Sequence, residues 1–418
     1  MVRRRVDHLL IGGGLAAANC ARWLREEGAA GSVLLVGREF DPPYNRPPLS
    51  KGYLRGEESK EEVLFRPDEW WGEQNIELLT RTSVMKLDAG ERVATLSTKD
   101  EIEFDTALLA TGANVRRLRA EGGELDGIHY LRAFGNSEAI RADAEQAERA
   151  VLIGGSYIGC EVAASLTASL GVRCTILMME EVTLERSFGR EVGGFFQGVL
   201  EEHGVEVHGG DELDRFEGSQ GRVERVITKG GRSLDCDCVI VGAGVMPDVM
   251  LARSAGLELG DAGGVRCSSG LESSVPGIFA AGDICEYESP VHGRPMRIEH
   301  WDVAFNQGKT AALNLLGRGV EHDVVPYFFS DFADWASMEY VGPGSGELVV
   351  RGSFDDGEFT AFYLSGERVV AALTVGRSEE LEHARRFISE GAAPDRGELG
   401  DCDTDLASLG PGQPTAET

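Results

Sequence analysis

Gly12, Gly14 and Ala17, in the run Val6 to Glu27 (VDHLLIGGGLAAANCARWLREE), take the spacing G-x-G-x-x-G/A. Gly154, Ser156 and Gly159, in Ala150 to Leu170 (AVLIGGSYIGCEVAASLTASL), repeat it about 140 residues later. The chemistry of this spacing is pyrophosphate binding: a turn too tight for side chains lets backbone approach an anion, and the N–H groups that open the next helix hold it. One glycine run also serves as an ordinary turn. Two, each after an apolar strand and before a helix, point to two dinucleotides held face to face, the arrangement in which hydride passes between a nicotinamide and a flavin. Glu39, 25 residues past Gly14, stands where an acid accepts from a ribose hydroxyl. In the second copy Ser156 replaces the middle glycine. The strand there, Cys174 to Met178, ends in Met178-Met179-Glu180-Glu181, so its tip lacks the usual acid unless Glu180 reaches back. No arginine sits at that tip, which favours NADH over NADPH.

Rossmann-like units must position these residues, and the expected fold is α/β: two Rossmann-like dinucleotide-binding domains plus a C-terminal mixed α+β domain. Strands are placed at His8 to Ile11 and Val33 to Val36 in the first unit, and near Val151, Cys174 and Val239 in the second. Asp41 to Ser50 (DPPYNRPPLS) cannot be regular helix, because four prolines remove donors and fix dihedrals. Ile278 to Asp283 (IFAAGD) repeats the strand-then-Gly pattern of Ala107 to Ala113 (ALLATGA), so the chain returns to complete the first unit. This reading makes the FAD-binding domain discontinuous, residues 1–113 and 245–320, with an NAD(P)H-binding domain at 114–244. Strand-like runs at Leu348 to Val350, Phe359 to Leu364 and Val369 to Val375, then a helical stretch Glu380 to Ser389, place a third domain at 321–393. Residues 394–418, rich in Gly, Pro, Asp and Glu, read as a flexible acidic tail.

The 418 residues allow two or three cores. A formal charge of -29, from 41 basic and 70 acidic residues, excludes nonspecific binding to nucleic acid or an anionic membrane. It would also repel a small acidic electron carrier unless a local basic patch received it; Arg116, Arg117 and Arg119, with Arg3 to Arg5, are candidates. Eight cysteines show no C-x-x-C and no zinc-type spacing, so no metal is expected and a reduced, cytoplasmic compartment is the default. No run reaches the ~18 apolar residues of a membrane span. The basic and apolar start is read as mature structure, since its removal would destroy the first fingerprint.

PPYNRPPLSKGYL (Pro42 to Leu54), ATGA (Ala110 to Ala113), IGGSYIGCEVA (Ile153 to Ala163), VGAGVMPDVMLARSAGL (Val241 to Leu257), AAGDI (Ala280 to Ile284) and EHWDVAFNQGKTAALNLLG (Glu299 to Gly317) together resemble the FAD-dependent NAD(P)H:ferredoxin reductases of bacterial oxygenase systems. Apoptosis-inducing factor is a more distant relative. The resemblance runs over about residues 6 to 390 in consistent order. It implies FAD and NAD(P)H as cofactors, a [2Fe–2S] ferredoxin as electron acceptor, and a monomer or homodimer. It further implies that Lys51 lies near the reactive edge of the flavin, paired with Glu161 beside the nicotinamide, and that Trp301 stacks there. Arg46, Val84, Ala110, Thr111, Gly112, Arg132 and Asp283 would contact FAD together with Gly12, Gly14, Leu15, Ala16, Ala17 and Glu39. Gly154, Gly155, Ser156, Tyr157, Ile158, Gly159, Glu180, Gly242 and Gly244 would line the NAD(P)H site. One departure is Pro326-Tyr327-Phe328-Phe329-Ser330-Asp331, where many members have P-W-F-W-S-D; the aromatic character is kept, but the docking surface for the acceptor differs.

Three other readings compete. An NADH oxidase or disulfide reductase of the same fold needs a redox cysteine near the flavin, and Asp41 to Leu54 has none. A diaphorase would lack a protein acceptor. A non-catalytic FAD-binding redox sensor, or a DNA-associated factor, would bind the cofactor without turnover.

Overall fold

The computed structural model describes residues 2–410. The chain divides into two compact units, one of residues 1–45, 60–114 and 245–326, the other of 46–59, 115–244 and 327 onward.

In the first unit a seven-stranded sheet runs in the order Ile76–Leu79, Val33–Val36, Arg3–Ile11, Glu101–Leu109, Val93–Leu96, Val84–Asp88, with Ile278–Ala280 also beside Glu101–Leu109. The first four strands and Ile278–Ala280 are parallel. Val84–Asp88 and Val93–Leu96 add an antiparallel flap. Leu9, Leu10, Leu34, Leu35 and Leu108 are buried, the near-continuous apolar run of a parallel sheet covered on both faces. The chain does return through Ile278–Ala280, as the IFAAGD pattern indicates, and Asp41 to Ser50 contains only a short 3-10 turn, Pro47–Ser50.

The second unit holds a five-stranded parallel sheet in the order Glu206–His208, Arg173–Leu177, Arg149–Ile153, Cys238–Val241, Ile128–His129. It also holds an antiparallel sheet, Tyr327–Phe332, Ala336–Val341, Arg368–Val375, Glu358–Ser365, Glu347–Ser353, on which the Glu380–Glu390 helix packs.

Three segments carry detail that the sequence pattern does not. Residues 46–59 group with the second unit, where Lys51 and Ser50 bond to Glu161. The C-terminal sheet starts at Tyr327, so the aromatic segment is itself a strand. The tail from 394 is not free: Arg396–Gly400 is helical with Asp395 capping it, and Leu399, Leu406 and Leu409 are buried. Residues 411–418 of that expected tail lie outside the described residues. Among the described residues no helix is long and apolar enough to cross a membrane.

Candidate functional site

Gly12 has φ +130°, and a Cβ there would lie 2.1 Å from the Ala110 carbonyl oxygen, so no other residue fits. Gly14 is the opposite case: nothing lies within 4 Å of where its Cβ would be. The Leu15–Glu26 helix that follows has no side-chain cap and no acid in its first turn, and Leu15, Ala16 and Ala17 are buried. Its leading N–H groups therefore face an open, uncapped turn suited to an anion. The Gly282 turn abuts this helix, since a Cβ at Gly282 would lie 3.4 Å from that of Ala16. Gln307 fixes the turn by accepting from the Gly282 N–H at 2.8 Å, and Arg297 donates to the Asp283 carbonyl at 3.0 Å. Glu39 is half-buried and accepts from the Tyr44 hydroxyl at 2.5 Å. Thr111 donates to the Asp248 carbonyl at 2.6 Å, next to Gly112, whose φ is +70°. Val84 opens the flap strand, packed on the sheet core. Trp301 begins the Trp301–Leu315 helix; its indole N–H donates to Asn45 at 3.0 Å and its ring stacks on Phe305 at 5.2 Å.

In the second unit, a Cβ at Gly154 would lie 2.6 Å from the Gly242 carbonyl oxygen, and one at Gly159 would lie 2.1 Å from that of Gly154. Ser156 takes the N-cap position of the Tyr157–Leu170 helix but does not cap it with its side chain; its hydroxyl is 3.4 Å from the Gly242 oxygen. Gly244 has φ +82°, and Ile158 is partly exposed. Met178 is buried with its sulfur against Gly155, where a Cβ would be 2.2 Å away, so the residue at the strand tip seals the turn. Glu180 pairs with Arg186 from the Glu185–Glu202 helix. The strand tip itself carries no arginine, but Arg186 arrives from the following helix, six residues after Glu180, where strand-tip spacing gives no sign of it. The Arg132 carbonyl accepts from Arg46.

The same unit holds a buried charge pair. Lys51 and Glu161 are 9% and 5% exposed, with Lys51 Nζ donating to Glu161 Oε1 at 2.7 Å. Ser330 donates to the same oxygen at 2.5 Å, and Ser50 to Oε2 at 2.5 Å. Sequence reasoning missed both serines, which carry no signal of their own; only the S-K and F-S neighbours of known site segments could have drawn attention to them. The Lys51 ammonium also sits 5.3 Å from the centre of the Phe329 ring. Tyr157 packs against Phe328 and Phe188, at 4.3 and 5.8 Å. Burial pushes its hydroxyl up to about 12, against the opposing hydrogen bond to Ser187 and with Glu161 adding to the rise, so it stays a neutral donor.

Arg3, Arg4 and Arg5 are all paired with carboxylates, which removes them as a basic patch. Arg116, Arg117 and Arg119 are exposed, Arg117 against Tyr130. Seven of the cysteines are buried and Cys402 is exposed. Burial pushes the Cys236 and Cys238 thiols up to about 12, with Asp237 adding to both, and raises Cys20 and Cys160 further, which suits packing rather than nucleophilic chemistry.

The chain belongs to the pyridine nucleotide-disulphide oxidoreductase family, which it matches over residues 6–308, and residues 327–410 match the reductase C-terminal family. It is similar to the ferredoxin reductase subunit of 5,5'-dehydrodivanillate O-demethylase from Sphingobium, 34% identical over 96% of this chain and 98% of that protein. Putidaredoxin reductase from Pseudomonas putida is 33% identical over 94% of each chain. The crystal structure of the ferredoxin reductase for the CYP199A2 system from Rhodopseudomonas palustris matches with a TM-score of 0.92 at 30% identity, covering 96% of this chain and 98% of that one. Members of the family are flavoprotein oxidoreductases using FAD and NAD(P)H, and the two uncapped turns closed by Gly12 and Gly154 fit those pyrophosphates.

Proposed function

We propose that this chain is an FAD-dependent NAD(P)H:ferredoxin oxidoreductase that passes single electrons to a [2Fe–2S] ferredoxin serving an oxygenase, and that it works in the cytoplasm. Relatives spanning the chain at 33–34% identity are named as ferredoxin or putidaredoxin reductases, which supports the acceptor class. The observation that carries the reading is the Lys51–Glu161 pair. A pair this deeply buried is a poor way to gain stability, since desolvating both charges costs several kcal/mol. Its retention together with two added hydroxyl donors fits a chemical task.

Bound FAD supplies the capacity to take two electrons as hydride and release them one at a time. The chain's own residues do the rest. Residues 1–113 and 245–320 form the FAD-binding domain in this proposal, with Gly12, Gly14 and the first turn of the Leu15–Glu26 helix on the pyrophosphate, Glu39 on a ribose, and Asp283 on the ribityl chain. Val84, Ala110, Thr111, Gly112, Arg46 and Arg132 complete the FAD contacts. Residues 114–244 hold NAD(P)H through Gly154 to Gly159, Gly242 and Gly244. Lys51, held by Glu161, places one positive charge beside the reacting ring, and Trp301 provides a flat wall. NADH is the preferred donor, because Glu180 puts a negative charge at the ribose end and neutralises Arg186.

Purified protein is expected to be yellow, to bleach anaerobically with NADH, and to reduce at least one member of a panel of oxygenase-type [2Fe–2S] ferredoxins that includes putidaredoxin. Bleaching without reduction of any ferredoxin or cytochrome would leave a diaphorase. Failure to retain or rebind flavin would end the reading altogether.

A further inference from the structure

We propose that Ser137 and Ser165 are positioning residues for Lys51: they grip the two carbonyls that precede it and so set where its ammonium stands against the reacting ring. This rests on the functional reading above and on its placement of Lys51 beside the flavin.

The segment that carries Lys51 is poorly equipped to tie itself down. Pro42, Pro43, Pro47 and Pro48 bring no N–H, so Asp41 to Ser50 has few backbone donors for its own carbonyls. Leu49 and Ser50 are nevertheless buried, and a buried carbonyl needs a partner. Two serines from two helices supply one each. Ser137, on the Phe134–Ala144 helix, donates to the Leu49 carbonyl at 2.8 Å, and Ser165, on the Tyr157–Leu170 helix, donates to the Ser50 carbonyl at 2.7 Å. Both hydroxyls are shielded from water, Ser137 being 1% exposed and Ser165 completely buried. All of these residues lie in the second unit.

The Ser165 bond is unusual for its place. Serine in mid-helix commonly turns its hydroxyl back to the carbonyl four residues earlier, and Ser169 does so, donating to the Ser165 carbonyl at 2.7 Å. Ser165 instead reaches out of its helix to a residue 115 positions away in the chain. Arg55 donates to Ser165 Oγ at 3.3 Å, which leaves the hydroxyl proton for Ser50. Glu161 stands one turn before Ser165 on the same helix face. It accepts from the Ser50 hydroxyl at 2.5 Å and from the Lys51 ammonium at 2.7 Å. One helix therefore holds Ser50 by both its hydroxyl and its carbonyl, and Lys51 by its side chain, while Ser137 fixes the preceding residue from a second helix. The Lys51 N–H donates to the Pro48 carbonyl at 2.9 Å, which ties the backbone at the lysine itself. A reacting group misplaced by about 1 Å can lose about a hundredfold in rate, so these holds bear directly on the chemistry assigned to Lys51.

The test uses the flavin-loaded enzyme. Ser165→Ala removes one oxygen and keeps the helix. It is expected to slow flavin reduction by NADH about fivefold in stopped-flow and to move the flavin midpoint potential to more negative values, since a displaced ammonium no longer favours the electron-rich reduced ring. Acetylation of Lys51 by acetic anhydride, followed by peptide mass spectrometry, should quicken by about the same factor while Lys60 and Lys229 react at wild-type rates. Ser137→Ala should act in the same sense but less, and the double variant more than either. Ser169→Ala, which removes a hydroxyl bonded within its own helix, should change none of the three readouts. The role is refuted if Ser165→Ala and the double variant leave reduction rate, potential and Lys51 acetylation at wild-type values, or if all the lysines acetylate faster together, which would mark a general loosening of the fold. Such a result in variants of an active wild type removes the positioning role alone. If the wild type holds flavin and NADH does not bleach it, the functional reading itself falls and takes this role with it.

Discussion

The Glu161 carboxylate has two oxygens and receives three donors, from Lys51, Ser330 and Ser50. Ser330 is completely buried, so nothing replaces its hydroxyl if it is lost. A hydrogen bond to a charged group contributes about 1.5–3 kcal/mol, enough to hold the carboxylate and, through it, the Lys51 ammonium in one place. Ser330→Ala is therefore expected to slow flavin reduction by NADH about tenfold in stopped-flow, with the flavin still bound and its midpoint potential displaced, while Ser330→Thr restores the rate. A wild-type rate and potential in Ser330→Ala would deny Ser330 any positioning role. The ribose end makes a second prediction. Glu180 and Arg186 are paired where a 2'-hydroxyl or 2'-phosphate would be read. Glu180→Gln removes the repulsive charge and frees the guanidinium, so kcat/KM for NADPH should rise about tenfold while that for NADH falls. Steady-state kinetics with both coenzymes decides this, and an unchanged ratio would place discrimination elsewhere.

Element by element, what the chain declares in advance is backbone geometry, because a positive φ and a blocked Cβ leave glycine as the only solution. Gly12 and Gly154 are such positions, and with their flanking apolar strands they announce both nucleotide turns. Side-chain partners across long sequence distances are not announced. Ser330 meets Glu161 across 169 residues and Arg186 reaches Glu180 from a new helix, so neither has a local pattern to betray it. Residues 394–410 mislead in the other direction: their Gly, Pro and acid content reads as disorder, yet distant arginines fasten them. Buried Arg351 of the Glu347–Ser353 strand pairs with Glu380 at 2.8 Å and also donates to the carbonyls of Asp401, Cys402 and Thr404. Arg386 donates to those of Leu406 and Leu409. Removing one member of a buried pair costs about 3–5 kcal/mol. Arg351→Ala should lower stability by that order in urea denaturation and expose residues near 401–410 to limited proteolysis. Wild-type resistance in the variant would show that the anchoring lies with Arg386 and the buried leucines.

For the whole molecule, burial of histidine sets the response to acid. Burial brings His300 down to about 4, with Asp283 opposing the shift, and His322 down to about 4, with Asp323 opposing. Unfolded histidine titrates near 6.5, so between about pH 6.5 and 4 the unfolded chain binds protons that the folded chain refuses. The two groups' contribution is fully present above pH 6.5 and is lost as pH falls through that window, by roughly 3 kcal/mol each for a shift of about 2.5 units. Asp211 acts in a separate, lower window. Hydrogen bonds, first that to Thr228 and then those from the backbone and Arg232, hold its carboxyl down at about 2 against the opposing effect of burial, so its stabilisation is present above about pH 4 and disappears only below it. Denaturation midpoints should therefore fall in two stages. His322 shares a hydrogen bond of 3.0 Å with the Thr310 hydroxyl and lies edge-on to Tyr287, inside the first unit, whereas Lys51 and Glu161 belong to the second. Because burial also brings His292 down to about 4, with Arg294 adding to the shift, His322→Asn should remove about a third of the upper stage while leaving the lower one and the rate of flavin reduction at pH 7.5 unchanged. An upper stage that persists in full in His322→Asn would assign the proton uptake to His300 or to other groups, and a stability that rises on going from pH 7 to 5 would contradict the sign of the linkage itself.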